Sequence, residues 1–236
     1  DYSPGTDICR YKNIPVPTSY MAIASKYNFV GGYENDSKGG LLHVANHHVS
    51  PGKKQWTWGH GDFGRAWDRN LTHVDGPYIE LMCGVYTDNQ PDFTWIMPGE
   101  QKDFTQYFMP YRDLGIVKNA TKNAMVNLES IDNKLVIKAY TTGVYPKTTV
   151  TLKNNDVVIF QKQYDASPYN SFEETIDFNF GLEGLSIAVT DADDKVLVDW
   201  NYEGQNEDEI PEAAKPALAP EDIVNNEQLF LTAQHL

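Results

Sequence analysis

Apolar and polar positions alternate with period two through the middle of the chain. Leu135, Ile137 and Ala139 alternate with Val136, Lys138 and Tyr140. Successive side chains of a strand point to opposite faces, so such a run builds a half-buried strand. Val150 and Leu152 lead into Asn154-Asn155-Asp156 and then an apolar run at 157–160, a strand–turn–strand signal. Phe172, Ile176, Phe178 and Phe180 recur at even spacings; Ile187 and Val189 precede the turn from Asp191 to Asp194, followed by Val196, Val198 and Trp200. The pattern predicts an antiparallel sandwich of immunoglobulin-like type over 119–203. No acids, histidines or hydroxyls in it are arranged for chemistry, which predicts a structural or spacer module.

Residues 1–118 are punctuated differently. Gly31-Gly32, Gly39-Gly40, Pro51-Gly52, Gly59, Gly61, Gly64, Gly76-Pro77 and Pro98-Gly99 break the chain every few residues. The segments between them, such as 41–44, 78–85 and 103–107, have strand length, and no 3.6-period stretch of helix length survives the breaks. A large, elaborated β-sandwich with long loops is predicted. Residues 204–236 form a third region. Its first part, through Pro211, Pro216 and Pro220, is acidic and rich in Ala and Pro, a linker composition. Asn226 then reads as the cap of a helix carrying Leu229, Phe230, Ala233 and Leu236 on one side. That stripe needs a surface to dock on, such as a further helical domain. The reading is all-β with a C-terminal helical tail.

Charge narrows the partners. The net charge is −14, with −2 in residues 1–118 and −6 in each of the other two regions. A surface of that sign repels phosphate backbones, which excludes nucleic acid as an expected partner. Apolar runs are short and interrupted, so no membrane span is expected. Cys9 and Cys83 make at most one bridge, and both are expected to be buried free thiols. The chain opens on Asp1 and stops at Leu236 inside the predicted helix, which reads as a piece of a longer protein.

Candidate chemistry concentrates in the first region. Four of the five tryptophans lie there, and Trp56-Thr57-Trp58-Gly59-His60-Gly61-Asp62-Phe63-Gly64-Arg65-Ala66-Trp67-Asp68-Arg69 mixes three of them with ionisable groups. A sugar presents an apolar CH face and a ring of hydroxyls, so its site needs a flat aromatic platform beside carboxylate, amide or guanidinium groups. The glycines would let the backbone approach a ligand closely. The competing reading makes the tryptophans core and pairs Asp62, Arg65, Asp68 and Arg69 with one another. His43, His47, His48 and His60 raise a metal site, but the spacing does not put three ligands together. His47-His48 reads as a structural pair with one ring buried and hydrogen-bonded, and no metal or cofactor is expected. Glu80 sits among Ile79, Leu81, Met82 and Cys83. On a strand its carboxylate points away from Ile79 and Leu81, either paired to Arg65 or Arg69 or lining a cleft as a general base.

The order Glu80, Asn89-Gln90-Pro91, Pro98-Gly99-Glu100 resembles the late strand and loop of galactose mutarotase (aldose 1-epimerase) proteins. Met82 stands where those proteins carry Gln, and Asp88 is displaced from the usual Asp by two positions. Gly31-Gly32-Tyr33, His43 to His48, Pro51-Gly52-Lys53-Lys54 and Trp56-Thr57-Trp58-Gly59 are similar to an uncharacterised bacterial mutarotase-like domain that commonly precedes tetratricopeptide repeats. Glu227-Gln228-Leu229-Phe230-Leu231 is similar to the start of those repeats. The resemblance implies the C-terminal portion of a mutarotase-like supersandwich in residues 1–118. It also implies a sugar or oligosaccharide ligand, and Glu80 as the base that takes the anomeric hydroxyl proton. His60 stands in for the family's acid histidine, which the chain lacks. Trp58 and Trp67 would then stack on the sugar, and Asp62, Arg65, Asp88 and Asn89 would bond its hydroxyls. Two alternatives stay open. One is a non-catalytic scaffold that presents helical repeats to a protein partner; the other is a glycoside hydrolase using Asp62 or Asp88 as a second carboxylate.

Overall fold

The computed structural model describes residues 6–22, 25–87, 95–204 and 218–235. Among them the fold is all-β, four antiparallel sheets accompanied by two α-helices. The order along the chain begins β1 (Thr18–Met21), β2 (Phe29–Glu34), β3 (Gly39–Ala45), β4 (Gly52–Thr57), α1 (Asp62–Leu71), β5 (Ile79–Gly84) and β6 (Gln106–Arg112). It continues with β7 (Asn119–Ala120), β8 (Ala124–Ile131), β9 (Lys134–Thr141), β10 (Tyr145–Asn154), β11 (Val157–Ala166), β12 (Phe172–Asp177), β13 (Leu185–Thr190), β14 (Val196–Asn201) and α2 (Asn226–His235).

The alternation read between 134 and 200 builds two four-stranded sheets, β12-β9-β8-β7 and β11-β10-β13-β14. Two-residue turns set the register of two hairpins. Ile131 pairs with Lys134 across Asp132 and Asn133, and Asn154 pairs with Val157 across Asn155 and Asp156. All four turn residues have positive φ, the conformation that Asn and Asp tolerate and that matches strand twist. The inward positions meet in one core: Val126, Leu128, Leu135 and Ile137 from one sheet against Val150, Leu152, Ile187 and Val189 from the other. Each is fully buried, worth about 1.5–3 kcal/mol of transfer free energy.

The first region forms two three-stranded sheets, β1-β4-β5 and β2-β3-β6. Leu42, Val44, Met109 and Tyr111 of the second pack against Leu114, Val117, Ala120, Met125 and Tyr140. Thus β8 is buried on both faces: Val126 and Leu128 enter the sandwich core, while Met125 and Asn127 face the other way. Asn127 Nδ2 donates to the Leu114 carbonyl at 2.8 Å.

Several expectations are corrected. A ten-residue helix, α1, lies where the glycines were read as breaking every helix. The strand β6 of the β2-β3-β6 sheet begins at Gln106, later than the segment read at 103–107. Cys9 is exposed and Cys83 half-buried; both are free. Asn225 caps α2 one residue before the expected Asn226, its Oδ1 accepting from Gln228 N at 2.7 Å. Phe230 and Leu231 of α2 are exposed, at 65% and 57%. Most of the Ala/Pro linker, 205–217, lies outside the described residues. No described helix is long and apolar enough to cross a membrane.

Candidate functional site

Glu80 and the tryptophans come together through one sheet register. Trp56 of β4 stands directly opposite Glu80 of β5, so both side chains leave the same face. The Trp56 ring meets Trp58 edge-on at 4.5 Å between centroids. Trp58 then stacks on Trp67 of α1 at 4.4 Å and 6°, and Phe63 closes on Trp58 at 5.9 Å. The result is a contiguous file of rings running from Glu80 to the helix surface. Glu80 is half-buried, and no hydrogen bond or ion pair joins it to another described residue, Arg65 and Arg69 included.

Glycines make the helix fit. A Cβ on Gly64 would stand 1.8 Å from the Gly59 carbonyl oxygen and 2.7 Å from that of Trp58. Gly59 has φ +79°, and its own Cβ would strike the backbone of Pro15 and Val16. These glycines therefore bring backbone against backbone, not against a ligand. Asp68 completes the clamp: its Oδ2 accepts from the Tyr11 hydroxyl at 3.3 Å and its Oδ1 from Tyr78 N at 3.1 Å. The Tyr11 phenol, which also donates to the Gly59 carbonyl at 2.9 Å, is pushed up to about 12 by burial and then by the Asp68 charge.

The expected site residues divide. Trp67 keeps an open side, 37% exposed, and can serve as a platform. Trp58 is half-buried, with Trp67 stacked on one face and Trp56 and Phe63 against it at steep angles. His60 is half-buried with its ring edge-on to Tyr11 at 6.5 Å, and its backbone N–H donates to the Ile14 carbonyl at 2.8 Å. Arg65 is exposed and donates from Nε to the His60 carbonyl at 2.9 Å. Asp62 is exposed in the first turn of α1. The mutual ion pairing considered for Asp62, Arg65, Asp68 and Arg69 is not formed among the described residues. Asp88 and Asn89, with the Asn89-Gln90-Pro91 motif, lie outside the described residues.

Phe63, 58% exposed, and Trp56 are members of the array that the sequence reading did not select. The four-residue spacing of Phe63 and Trp67 is the signal that could have found the helix and the ring pair together. Among the histidines, His43 is buried in β3 with Nε2 2.9 Å from Gln106 Oε1. His47 is half-buried against His48 at 3.9 Å, its Nδ1 2.8 Å from Asn28 Oδ1. Burial and the neighbouring His48 push the His47 imidazole below the usual range. Among the described residues no three His, Cys, Asp or Glu side chains are grouped as a metal would require.

Two family profiles match successive segments of the chain. Residues 2–111 match a domain of unknown function (DUF5107), and residues 119–200 match the YphG-like protein, second domain. Among solved structures, the chain is similar to a TPR-domain containing protein from Parabacteroides distasonis at 28% identity over 43% of this chain. The TM-score is 0.37, too low to speak for the fold, and the match spans 17% of that protein's length. The chain is thus similar to one family over its first half and to another over its sandwich.

Proposed function

We propose that this chain is a carbohydrate-binding β-module, the C-terminal portion of a mutarotase-like supersandwich followed by an immunoglobulin-like sandwich. The observation that carries this reading is Glu80, half-buried and unpaired among the described residues. It faces out beside Trp56 at one end of a file of rings whose other end is the open indole of Trp67. An aromatic face covers the CH side of a sugar ring, and a carboxylate accepts its hydroxyl protons. If the module also turns sugar over, Glu80 is the base at the anomeric hydroxyl and His60 the acid. Each must then reach about 2.6–3.2 Å from the proton it handles. A scaffold that presents helical repeats to a protein partner is the second reading, favoured by the exposed Phe230 and Leu231 of α2.

Titration calorimetry of the intact chain with galactose, glucose and arabinose, alongside anomer exchange by NMR, separates these readings. Saturable binding of at least one sugar is expected, weakened about tenfold in Trp67→Ala, which is about 1.4 kcal/mol. Exchange that disappears in Glu80→Gln while binding persists identifies an epimerase, and binding without exchange identifies a binding module. No heat with any of the three refutes the sugar reading and leaves the scaffold.

A further inference from the structure

We propose that the cleft where β2 and β5 approach each other binds an amphipathic monoanion, an apolar body carrying one carboxylate. The cleft has a volume of about 590 Å³, within the roughly 300–1,000 Å³ range of small-molecule sites. It is separate from the Glu80 face. Ile79 and Leu81 line it, and Glu80, between them on β5, points the other way.

Its charge runs against that of the molecule. The chain carries −14, yet Arg10 and Lys12 line the cleft and, among the described residues, no Asp or Glu does. Lys12 has no ion pair with a described residue, and Arg10 has an exposed contact to Asp7 at 3.6 Å. An exposed pair of that kind is weak and leaves the guanidinium able to engage a ligand. The segment bearing both cations is fixed in place. Residues Tyr11–Asn13 form a 3-10 turn, Ile14 behind it is fully buried, and Asn13 Nδ2 donates to the Asp7 carbonyl at 2.8 Å. The Tyr11 hydroxyl bond to Gly59 ties the turn to the base of α1. A preset cationic rim thus stands over an apolar floor that includes Leu42 and the stacked rings of Tyr33 and Tyr111, 5.8 Å apart.

The two glycines in the floor differ in a telling way. A Cβ on Gly31 would lie 2.1 Å from Leu42 Cδ2 and 2.6 Å from the Leu41 carbonyl oxygen, so packing alone requires glycine there. A Cβ on Gly32 would meet nothing nearer than Leu81 Cδ1 at 3.5 Å, an ordinary contact. Gly32 pairs with the exposed Leu41, so a side chain there would leave the sheet on the face opposite Leu42, Tyr33 and Tyr111, and what Gly32 gives the cleft is bare backbone.

The test is an amide NMR titration of the intact chain with hydrocinnamate, its neutral amide, and phenylpropylamine as the cationic isostere. Hydrocinnamate is expected to shift the amides of Gly31, Gly32 and Leu81 saturably, with the neutral amide at least tenfold weaker and the amine weaker still. Leu81→Trp, which enlarges a side chain lining the cleft, abolishes the shifts. Arg10→Ala with Lys12→Ala erases the preference for the acid, and Trp67→Ala changes neither. The comparison of the three probes on the unaltered chain needs no variant to fold, and Leu81→Phe provides a milder filling step. Equal affinity for the three probes, shifts confined to other residues, or no shift up to the solubility of hydrocinnamate each overturns the proposal. The sugar titration is unaffected by any of these outcomes.

Discussion

Gly64→Ala gives a stability change whose sign separates this fold from generic helix behaviour. In an unconstrained helix interior the substitution adds about 1 kcal/mol, because alanine loses less backbone freedom on folding. In α1 the new methyl would sit 1.8 Å from the Gly59 carbonyl oxygen, with the carbonyl carbon of Gly59 and the oxygen of Trp58 both at 2.7 Å. All three are backbone atoms. Gly59 cannot retreat, since it is itself in close approach to Pro15 and Val16. Overpacking of this kind costs about 1–3 kcal/mol, and rigid neighbours place it at the upper end. Set against the propensity gain, the net loss is about 2 kcal/mol. For a chain of this length that lowers the melting temperature by about 4–8 °C. Thermal unfolding followed by circular dichroism reads the loss, and the near-ultraviolet signal of the Trp58–Trp67 stack reports whether α1 has shifted. A melting temperature equal to or above that of the unaltered chain, with the aromatic signal intact, would refute the packing argument.

Substitutions at three further positions test the same geometry. Asp68→Ala leaves Tyr78 N without its acceptor and costs about 1–3 kcal/mol in chemical denaturation. The same change lets the Tyr11 phenol fall from about 12 part of the way toward its ordinary 10, read by ultraviolet difference titration; an unmoved value would remove Asp68 from the cause. Lys53 is buried, donates to the Tyr27 carbonyl at 2.5 Å, and is lowered in the folded state by burial below its unfolded 10.5. Below the folded value both states hold the proton and the folded chain carries the full cost of the buried charge. As pH climbs from there to 10.5 the folded state releases its proton first, so stability rises. Urea midpoints across that alkaline window, compared with Lys53→Met to cancel the tyrosines, should show the rise in the unaltered chain alone. Leu42→Ala, at a fully buried position in the core shared with the sandwich, should cost about 2–5 kcal/mol. A loss under 1 kcal/mol would mean that this core is not cooperative with the rest.

The sandwich was legible because its information is local. Alternation fixes which side chains of β8 to β14 turn inward, and Asn and Asp at left-handed positions mark the turns. The helix α1 was hidden by the same reasoning applied without tertiary context. Gly59, Gly61 and Gly64 read as breakers, whereas Gly64 is glycine because a neighbouring carbonyl occupies the place of its side chain. Glu80 was legible as a strand carboxylate facing away from Ile79 and Leu81, but its aromatic neighbour Trp56 follows from the β4–β5 register, which no single segment encodes. The stacking of Trp58 on Trp67 has the same origin, since it depends on where α1 lays Trp67. The cationic cleft draws on segments around residues 10, 32, 81 and 116 and leaves no mark on any of them separately.

The proposal that Trp67 and Glu80 frame a sugar site is tested most directly by the side-chain indole signals of the five tryptophans during titration with galactose, glucose or arabinose. With the Trp67 signal identified through Trp67→Phe, the account predicts that at least one sugar moves it saturably. The Trp200 signal, from the sandwich, should stay in place, and the Trp67 response should weaken in Glu80→Gln. A Trp67 signal that stays fixed with every sugar, or one that moves only in step with Trp200, contradicts it.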